Sequence, residues 1–224
     1  VPNGKVQIEA DGFNWLSNRS GGARTDQLLF TNPTVKYGLS GSSDVQLNWV
    51  PFTRIRSRDA AGNVSTQSGV GDVSLRFKQR LTGADTAFQL AVLPFVKLPT
   101  ARSGIGNGRV EGGMAVPMNY SVPGGWTVTL GPQIDVLADA GGDGHHLGLT
   151  GLVNVARQIG DFTLYNELWT SQNFDPAGTL RQYSYDVSLA WLPRPTLQFD
   201  IGANIGLNAD TPDLVAYVGV STRF

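Results

Sequence analysis

The sequence predicts an all-β fold, a transmembrane antiparallel up-and-down β-barrel of about 12 strands that forms one domain over residues 1–224. Three observations predict it. Apolar and polar residues alternate with the period of an extended strand through nearly every segment. Tight turns and longer polar loops take turns as connections, and aromatic residues of the apolar parity gather near one end of the strands.

The segment Asp213 to Phe224, DLVAYVGVSTRF, shows the alternation most plainly. Leu214, Ala216, Val218, Val220, Thr222 and Phe224 share one face and carry no charge, while Val215, Tyr217, Gly219, Ser221 and Arg223 share the other. The same pattern runs through Lys5 to Leu16, Leu28 to Leu39, Asp44 to Arg56, Asp72 to Leu81, Ala87 to Leu98 and Arg109 to Val122. It continues through Trp126 to Asp139, His145 to Ala156, Phe162 to Ser171, Gln182 to Leu192 and Leu197 to Asn208. An even number of short strands is what a single-chain bacterial barrel requires. No water in the bilayer core can pair an open sheet edge, so the last strand must close on the first.

Connections after even-numbered strands are mostly tight: Ser40 to Ser43, Thr82 to Asp85, Pro123 to Gly125, Gly160-Asp161 and Pro193 to Pro195. Those after odd-numbered strands are longer: Ser17 to Asp26, Ser57 to Gly71, Pro99 to Gly108, Ala140 to Gly144 and Gln172 to Thr179. This asymmetry places the tight turns in the periplasm, the loops outside, and both termini on the periplasmic side. The chain opens at VPNGKV without a basic segment and an apolar run, so any secretion signal is expected to have been removed.

Parity assigns side chains to lipid or lumen. In the eleventh segment Leu197, Phe199, Ile201, Ala203, Ile205 and Leu207 face lipid, and Gln198, Asp200, Gly202, Asn204, Gly206 and Asn208 face inward. A soluble barrel would reverse this, and alternation alone does not choose. The aromatics do: Tyr37, Tyr120, Trp126, Phe162, Trp191 and Phe224 share the apolar parity near the periplasmic ends and form the expected membrane girdle. Pro33, Pro51, Pro94, Pro117 and Pro132 fall inside strand patterns, where local bulges are expected. Asn14 and Asn166 fall on the lipid parity, against the pattern.

Composition excludes several classes of function. A net charge of -1 offers no basic excess for nucleic acid. The longest apolar run, Ala91 to Val96, is far too short for a spanning helix of roughly 18 residues. No cysteine is present, which removes disulfides and thiolate sites. His145-His146 beside Asp139 and Asp143 reads as a polar loop, because adjacent side chains on a strand point opposite ways; no metal and no cofactor is expected. Ala138 to Gly144 lacks calcium-ligand spacing. Gly104 to Gly108 leads into a strand and not into a phosphate-binding helix. An outer-membrane lipid hydrolase would carry its serine and histidine on the outer wall, whereas Ser74, Ser184, Ser188 and Ser221 have lumen parity, so no enzyme is expected.

The inward positions carry a pattern of their own. Lys36, Arg54, Arg56, Arg76, Lys78, Arg80, Lys97 and Arg109 come from strands two to six, with Asp72 and Glu111 as exceptions among them. Asp135, Asp139, Glu167, Asp186 and Asp200 come from strands seven to eleven, joined by Glu9 and Asp11 of strand one. One wall is basic and the other acidic, a field that orients polar solutes, unless the charges pair across the lumen and block it as in a plugged structural or adhesion barrel. The expected partners are outer-membrane lipid and lipopolysaccharide, a small-molecule cargo, and the barrel-insertion machinery that reads a final strand ending in Phe224.

Four stretches carry a family resemblance: GVGDVSLRFKQRL (Gly69 to Leu81), LPFVKLPTA (Leu93 to Ala101), ELWTSQNFDPAGTLRQ (Glu167 to Gln182) and LNADTPDLVAYVGVSTRF (Leu207 to Phe224). They resemble the outer-membrane transporter family associated with the meta-cleavage pathway of phenol degradation. The resemblance runs from about residue 69 to the end and is weaker over the first third. It implies an outer-membrane barrel that admits small molecules, with a link to aromatic catabolism. Inward parity of Phe52, Tyr165, Trp169 and Tyr217 would let an aromatic ring stack between the charged walls.

Overall fold

A computed structural model describes all 224 residues. They form seventeen strand segments in one closed antiparallel sheet, and the segments join end to end into twelve staves. Stave one is β1 (Val6–Ser20). Stave two is β2 (Ala23–Phe30) with β3 (Asn32–Gly38), stave three β4 (Ser43–Trp49) with β5 (Phe52–Arg58), and stave four β6 (Val64–Gly69) with β7 (Val73–Arg80). Stave five is β8 (Phe88–Leu98), stave six β9 (Glu111–Ala115) with β10 (Met118–Val122), and stave seven β11 (Trp126–Leu130) with β12 (Gln133–Ala138). Staves eight to twelve are β13 (His145–Ile159), β14 (Phe162–Asn173), β15 (Leu180–Arg194), β16 (Leu197–Gly206) and β17 (Leu214–Arg223). Pairing from Gln7↔Arg223 to Ser17↔Leu214 closes the cylinder.

Packing is inverted relative to a water-soluble domain. The buried hydrophobic residues are three alanines, Ala91, Ala156 and Ala190, whereas Asp44, Gln46, Asp135 and Asn154 are buried and thirty-nine large hydrophobic side chains are exposed. Each such side chain left in water forgoes up to about 1.5–3 kcal/mol of burial. Even a fraction of that, summed over the outer face, exceeds the roughly 5–15 kcal/mol by which a domain is stable. Lipid is the solvent that makes this surface favourable. Tyr37, Tyr120, Trp126, Phe162, Trp191 and Phe224 are all exposed. Phe162, Trp191 and Phe199 stack along the outside, and the Arg157 guanidinium lies 4.6 Å from the Trp126 ring centre.

Two connections are shorter than the sequence predicts. The expected loop Ser17 to Asp26 is a hairpin whose turn is Gly21-Gly22, with φ of 56° and 81°, the left-handed pair that a two-residue hairpin turn needs. The expected loop from Ser57 to Gly71 is largely strand, with β5 and β6 paired from Thr53↔Gly69 to Arg58↔Val64. Both ends of the chain lie at the end of the barrel that carries the short turns after β3, β10, β13 and β15.

The reason is a line of breaks across staves one to four. Below it Asp44 and Gln46 point inward; above it Thr53 points inward at 3% exposure while Phe52 is 40% exposed. Inward parity therefore changes from even to odd across Val50-Pro51. Stave two reverses at Thr31, whose φ is 44°, and stave four reverses between Gly69 and Val73. Because neighbours reverse together, their register is unchanged, Thr34↔Asn48 below and Leu29↔Thr53 above. Stave twelve does not reverse, so a one-residue bulge at Gly12 absorbs the mismatch: Asp11 pairs with Gly219 and Phe13 with Val218. The prolines are thus not bulges in the expected sense. At Pro117 and Pro132 the ladder is interrupted while register and parity continue on both sides.

Candidate functional site: the barrel lumen

Twelve staves surround an interior lined by the polar parity. On the side of staves one and eight to twelve, a chamber of about 380 Å³ is lined by Glu9, Asp11, Glu167, Asp200, Tyr165 and Tyr217 among others. Towards the long-loop end, Glu167 also borders a second chamber of about 530 Å³, where Trp169, Leu16, Leu152, Val215 and Pro212 meet Asp186. At the end holding the termini, Lys78, Arg80 and Arg223 line a third of about 400 Å³.

The bulge at Gly12 corrects the reading of Asn14. It turns Asn14 inward opposite Tyr217, where its Nδ2 donates to Asp11 at 3.1 Å. Asn166 stays on the lipid face, and the Tyr185 hydroxyl donates to its Oδ1 at 2.7 Å, which removes the cost of a bare amide oxygen in hydrocarbon.

The parity reversal corrects three further residues. Arg54, Arg56 and Phe52 lie on the outer face, not in the lumen, because they stand above the break; Phe52 packs against Phe30 at 6.1 Å and Phe30 against Phe13 at 6.3 Å. Arg109 belongs to the loop before β9, where it bonds the Gly142 carbonyl and pairs with Asp143. Asp139 lies at the start of the next loop, bonded to His146 at 2.8 Å, and His146 also meets Asn173 at 2.6 Å. His145 contacts the Val110 carbonyl at 3.1 Å. No three His, Asp or Glu side chains converge as a metal site.

The other charges face inward, and their pairing is local. Lys36 bonds Glu9 of the neighbouring stave at 2.6 Å, and Lys97 bonds Glu111 at 2.8 Å and Asp72 at 3.4 Å on its two flanks. The N-terminal ammonium passes the inner side of Gly38 to reach Asp44 at 3.0 Å, and no other ion pair inside the barrel joins staves that are not neighbours. Arg76, Lys78 and Arg80 have no carboxylate partner, and Asp11, Asp135, Glu167, Asp186 and Asp200 have no cationic one. Asp135 is instead satisfied by Gln133 at 2.8 Å and Thr150 at 3.1 Å, and Glu167 accepts from Asn154 at 3.2 Å. The sequence reading missed Phe95, which shares inward parity with Lys97; the Arg76 guanidinium lies 6.0 Å from its ring centre. That alternation was visible in Phe95-Val96-Lys97.

Comparison with known proteins decides the family. The model of the family described as "Putative MetA-pathway of phenol degradation" matches residues 1–224. The chain belongs to this family. Among solved structures, this member of the phenol-degradation family is similar to the COG4313 outer membrane channel from Pseudomonas putida F1, with a TM-score of 0.78 at 12% identity over 100% of this chain and 97% of that one. It is also similar to the KdgM porin solved with disordered oligogalacturonate, with a TM-score of 0.59 at 9% identity over 98% and 99% of the two chains. The β domain of the Bordetella autotransporter BrkA gives 0.58 at 13% identity over 99% and 100%. No curated relative matches the chain. At these identities the likeness is one of fold, that of an outer-membrane β-barrel.

Proposed function

We propose that this family member is a passive channel of the bacterial outer membrane that admits small organic molecules, aromatic or polar, with its termini and short turns on the periplasmic side. The observation that carries the reading is the pair of chambers, both bordered by Glu167, in which unpaired carboxylates stand among rings: Glu167, Asp186 and Asp200 beside Tyr165, Trp169 and Tyr217. A hydroxylated aromatic finds there both a face to stack on and an acceptor for its O–H. Opposite stand Arg76, Lys78 and Arg80 on stave four, so a transverse field persists with three unpaired cations after Arg54 and Arg56 are removed from it. The family's description and the channel and porin among its structural neighbours agree with this reading.

Conductance in a planar bilayer tests it. The wild type should pass a steady current, and Arg76→Glu should move the reversal potential in a tenfold salt gradient toward cation selectivity. Arg54→Glu, on the outer face, should leave it unchanged. An unmoved potential in Arg76→Glu would sink the field. The loop from Pro99 to Val110 favours one other reading, a plugged structural barrel. Arg102 crosses the inner side of Gly69 and its Nη1 bonds the Ser68 carbonyl at 2.6 Å. Silence of the wild type, with current restored by shortening that loop, would select the plug.

A further inference from the structure

The outer face above the break is strongly basic. Cross-strand pairing sets Arg19 opposite Arg24 and Arg24 opposite Arg58, so three guanidinium groups stand in one row across staves one to three. The row below holds Asp26 opposite Arg56, and the next holds Trp15, Leu28 and Arg54. Phe13, Phe30 and Phe52 form the row beneath. Five of the chain's 17 lysines and arginines thus share one outward patch. Asp26 is the one carboxylate in these rows, and it is engaged: it accepts from Arg24 at 2.8 Å and from Trp15 Nε1 at 3.2 Å. Arg54, Arg56 and Arg58 have no anionic partner, and the shielded Nε of Arg24 has no hydrogen bond at all.

Like charges directly opposite on adjacent strands are destabilising. A fold that stacks Arg19, Arg24 and Arg58 gains from an anion that comes from outside it. Height identifies the anion. From Val45, beside the girdle residue Tyr37, nine residues lead to Arg54, a rise of about 23 Å along the membrane normal at about 3.3 Å per residue and a tilt of about 40°. The apolar band of such a barrel is about 25 Å tall. The phenylalanine row, two residues lower, therefore lies inside the band, Arg54 at its far border, and Arg56 and the Arg58 row at the level of the headgroups just beyond. Arginine's planar fork matches a phosphate bidentately.

We propose that this patch binds the phosphorylated headgroup of lipopolysaccharide, with acyl chains against Phe13, Phe30 and Phe52 and phosphate between the arginine rows. The proposal rests on the outer-membrane reading and on the long-loop end facing outward. Purified barrel in detergent is titrated with bisphosphorylated lipid A, with its dephosphorylated form, and with inorganic phosphate. The heat-induced shift in gel migration reports stability and fluorescent lipid A reports affinity. Bisphosphorylated lipid A should raise the transition temperature, and the triple variant Arg54→Gln, Arg56→Gln, Arg58→Gln, which leaves the Arg24–Asp26 pair intact, should bind it at least tenfold more weakly while keeping its heat-modifiable band and its conductance. Equal stabilisation by the dephosphorylated lipid, a full effect from inorganic phosphate alone, or undiminished binding by the triple variant overturns the proposal. Orientation is read separately: Ala61→Cys, the one cysteine of that variant, should react with a membrane-impermeant maleimide on intact cells. A failure there removes the sidedness while leaving the lipid A titration to stand or fall by itself.

Discussion

Single side chains show how each face of the wall is satisfied in its own solvent. The Tyr185–Asn166 hydrogen bond lies on the lipid face, where water offers neither group a substitute. Tyr185→Phe should therefore lower stability by about 0.5–2 kcal/mol, read as an earlier loss of the compact gel band. The double variant Tyr185→Phe, Asn166→Leu should be neutral or stabilising, since it removes both polar groups instead of orphaning one. On the inner face the Tyr217 ring lies against Gly202, where a Cβ would meet it and Ser188. Gly202→Val should push the ring into the chamber, reduce single-channel conductance and cost about 1–3 kcal/mol in overpacking. In the loop after β14, the backbone N–H groups of Ala140 and Ala177 donate to Asp175 and hold its carboxyl below the usual carboxylate range. A lowered folded value means this tie is intact above the ordinary value of about 3.9 and is lost as pH falls through the lowered one. The protection of the Ala140 and Ala177 amides, measured against the intrinsic exchange rate at each pH, should be flat from neutral to mildly acidic pH and fall only in stronger acid, and Asp175→Ala should lower it throughout the flat range.

At the scale of elements, parity is a reliable guide only while a stave is unbroken. β13 to β17 alternate without interruption up to a one-residue shift after Trp191 at the end of β15, so the inward positions of Glu167, Asp186, Asp200, Tyr165, Trp169 and Tyr217 were legible from the sequence alone. Arg54, Arg56 and Phe52 were not. Their alternation is intact, but its phase changes at Val50-Pro51, and a proline signals an interruption without saying whether the phase survives it: at Pro117 and Pro132 it does. The reversals at Thr31 and near Gly71 carry no proline inside the break and left no sequence signal. Spin labels test the reversal. Labels at 46 and 55 should be accessible to a water-soluble relaxation agent in the lumen, and labels at 47 and 54 should not share that environment. A continuous even or odd pattern from 44 to 58 would show that the stave does not reverse.

Across the whole molecule the inverted packing and the alternating connection lengths were both written in the sequence, and with them the barrel itself. The upper parts of staves one to four were hidden, because two hairpins there looked like loops. They rise as a four-stranded flap whose last member, β6, would be an open edge; the loop from Pro99 to Val110 covers it through the Arg102 N–H to the Val70 carbonyl at 3.0 Å and the Arg102 side chain on Ser68. Removing residues 101–107 should expose that edge and increase self-association of the detergent-solubilised protein on size-exclusion chromatography.

The uneven distribution of breaks also has a mechanical meaning. Staves eight to twelve keep their ladder except for a one-residue shift between Trp191 and Arg194 beside the short turn after β15, whereas staves two, three, four, six and seven each interrupt theirs part-way. Elastic stiffness is therefore concentrated in one half of the circumference, and compression by the surrounding bilayer is taken up as flattening of the other. Amides flanking residues 50–52, 70–72, 116–117 and 131–132 should exchange faster than those of β14 and β15. Reconstitution in thicker or thinner membranes should alter conductance by displacing Arg76 and Lys78 while the opposing wall of Glu167, Asp186 and Asp200 holds its shape.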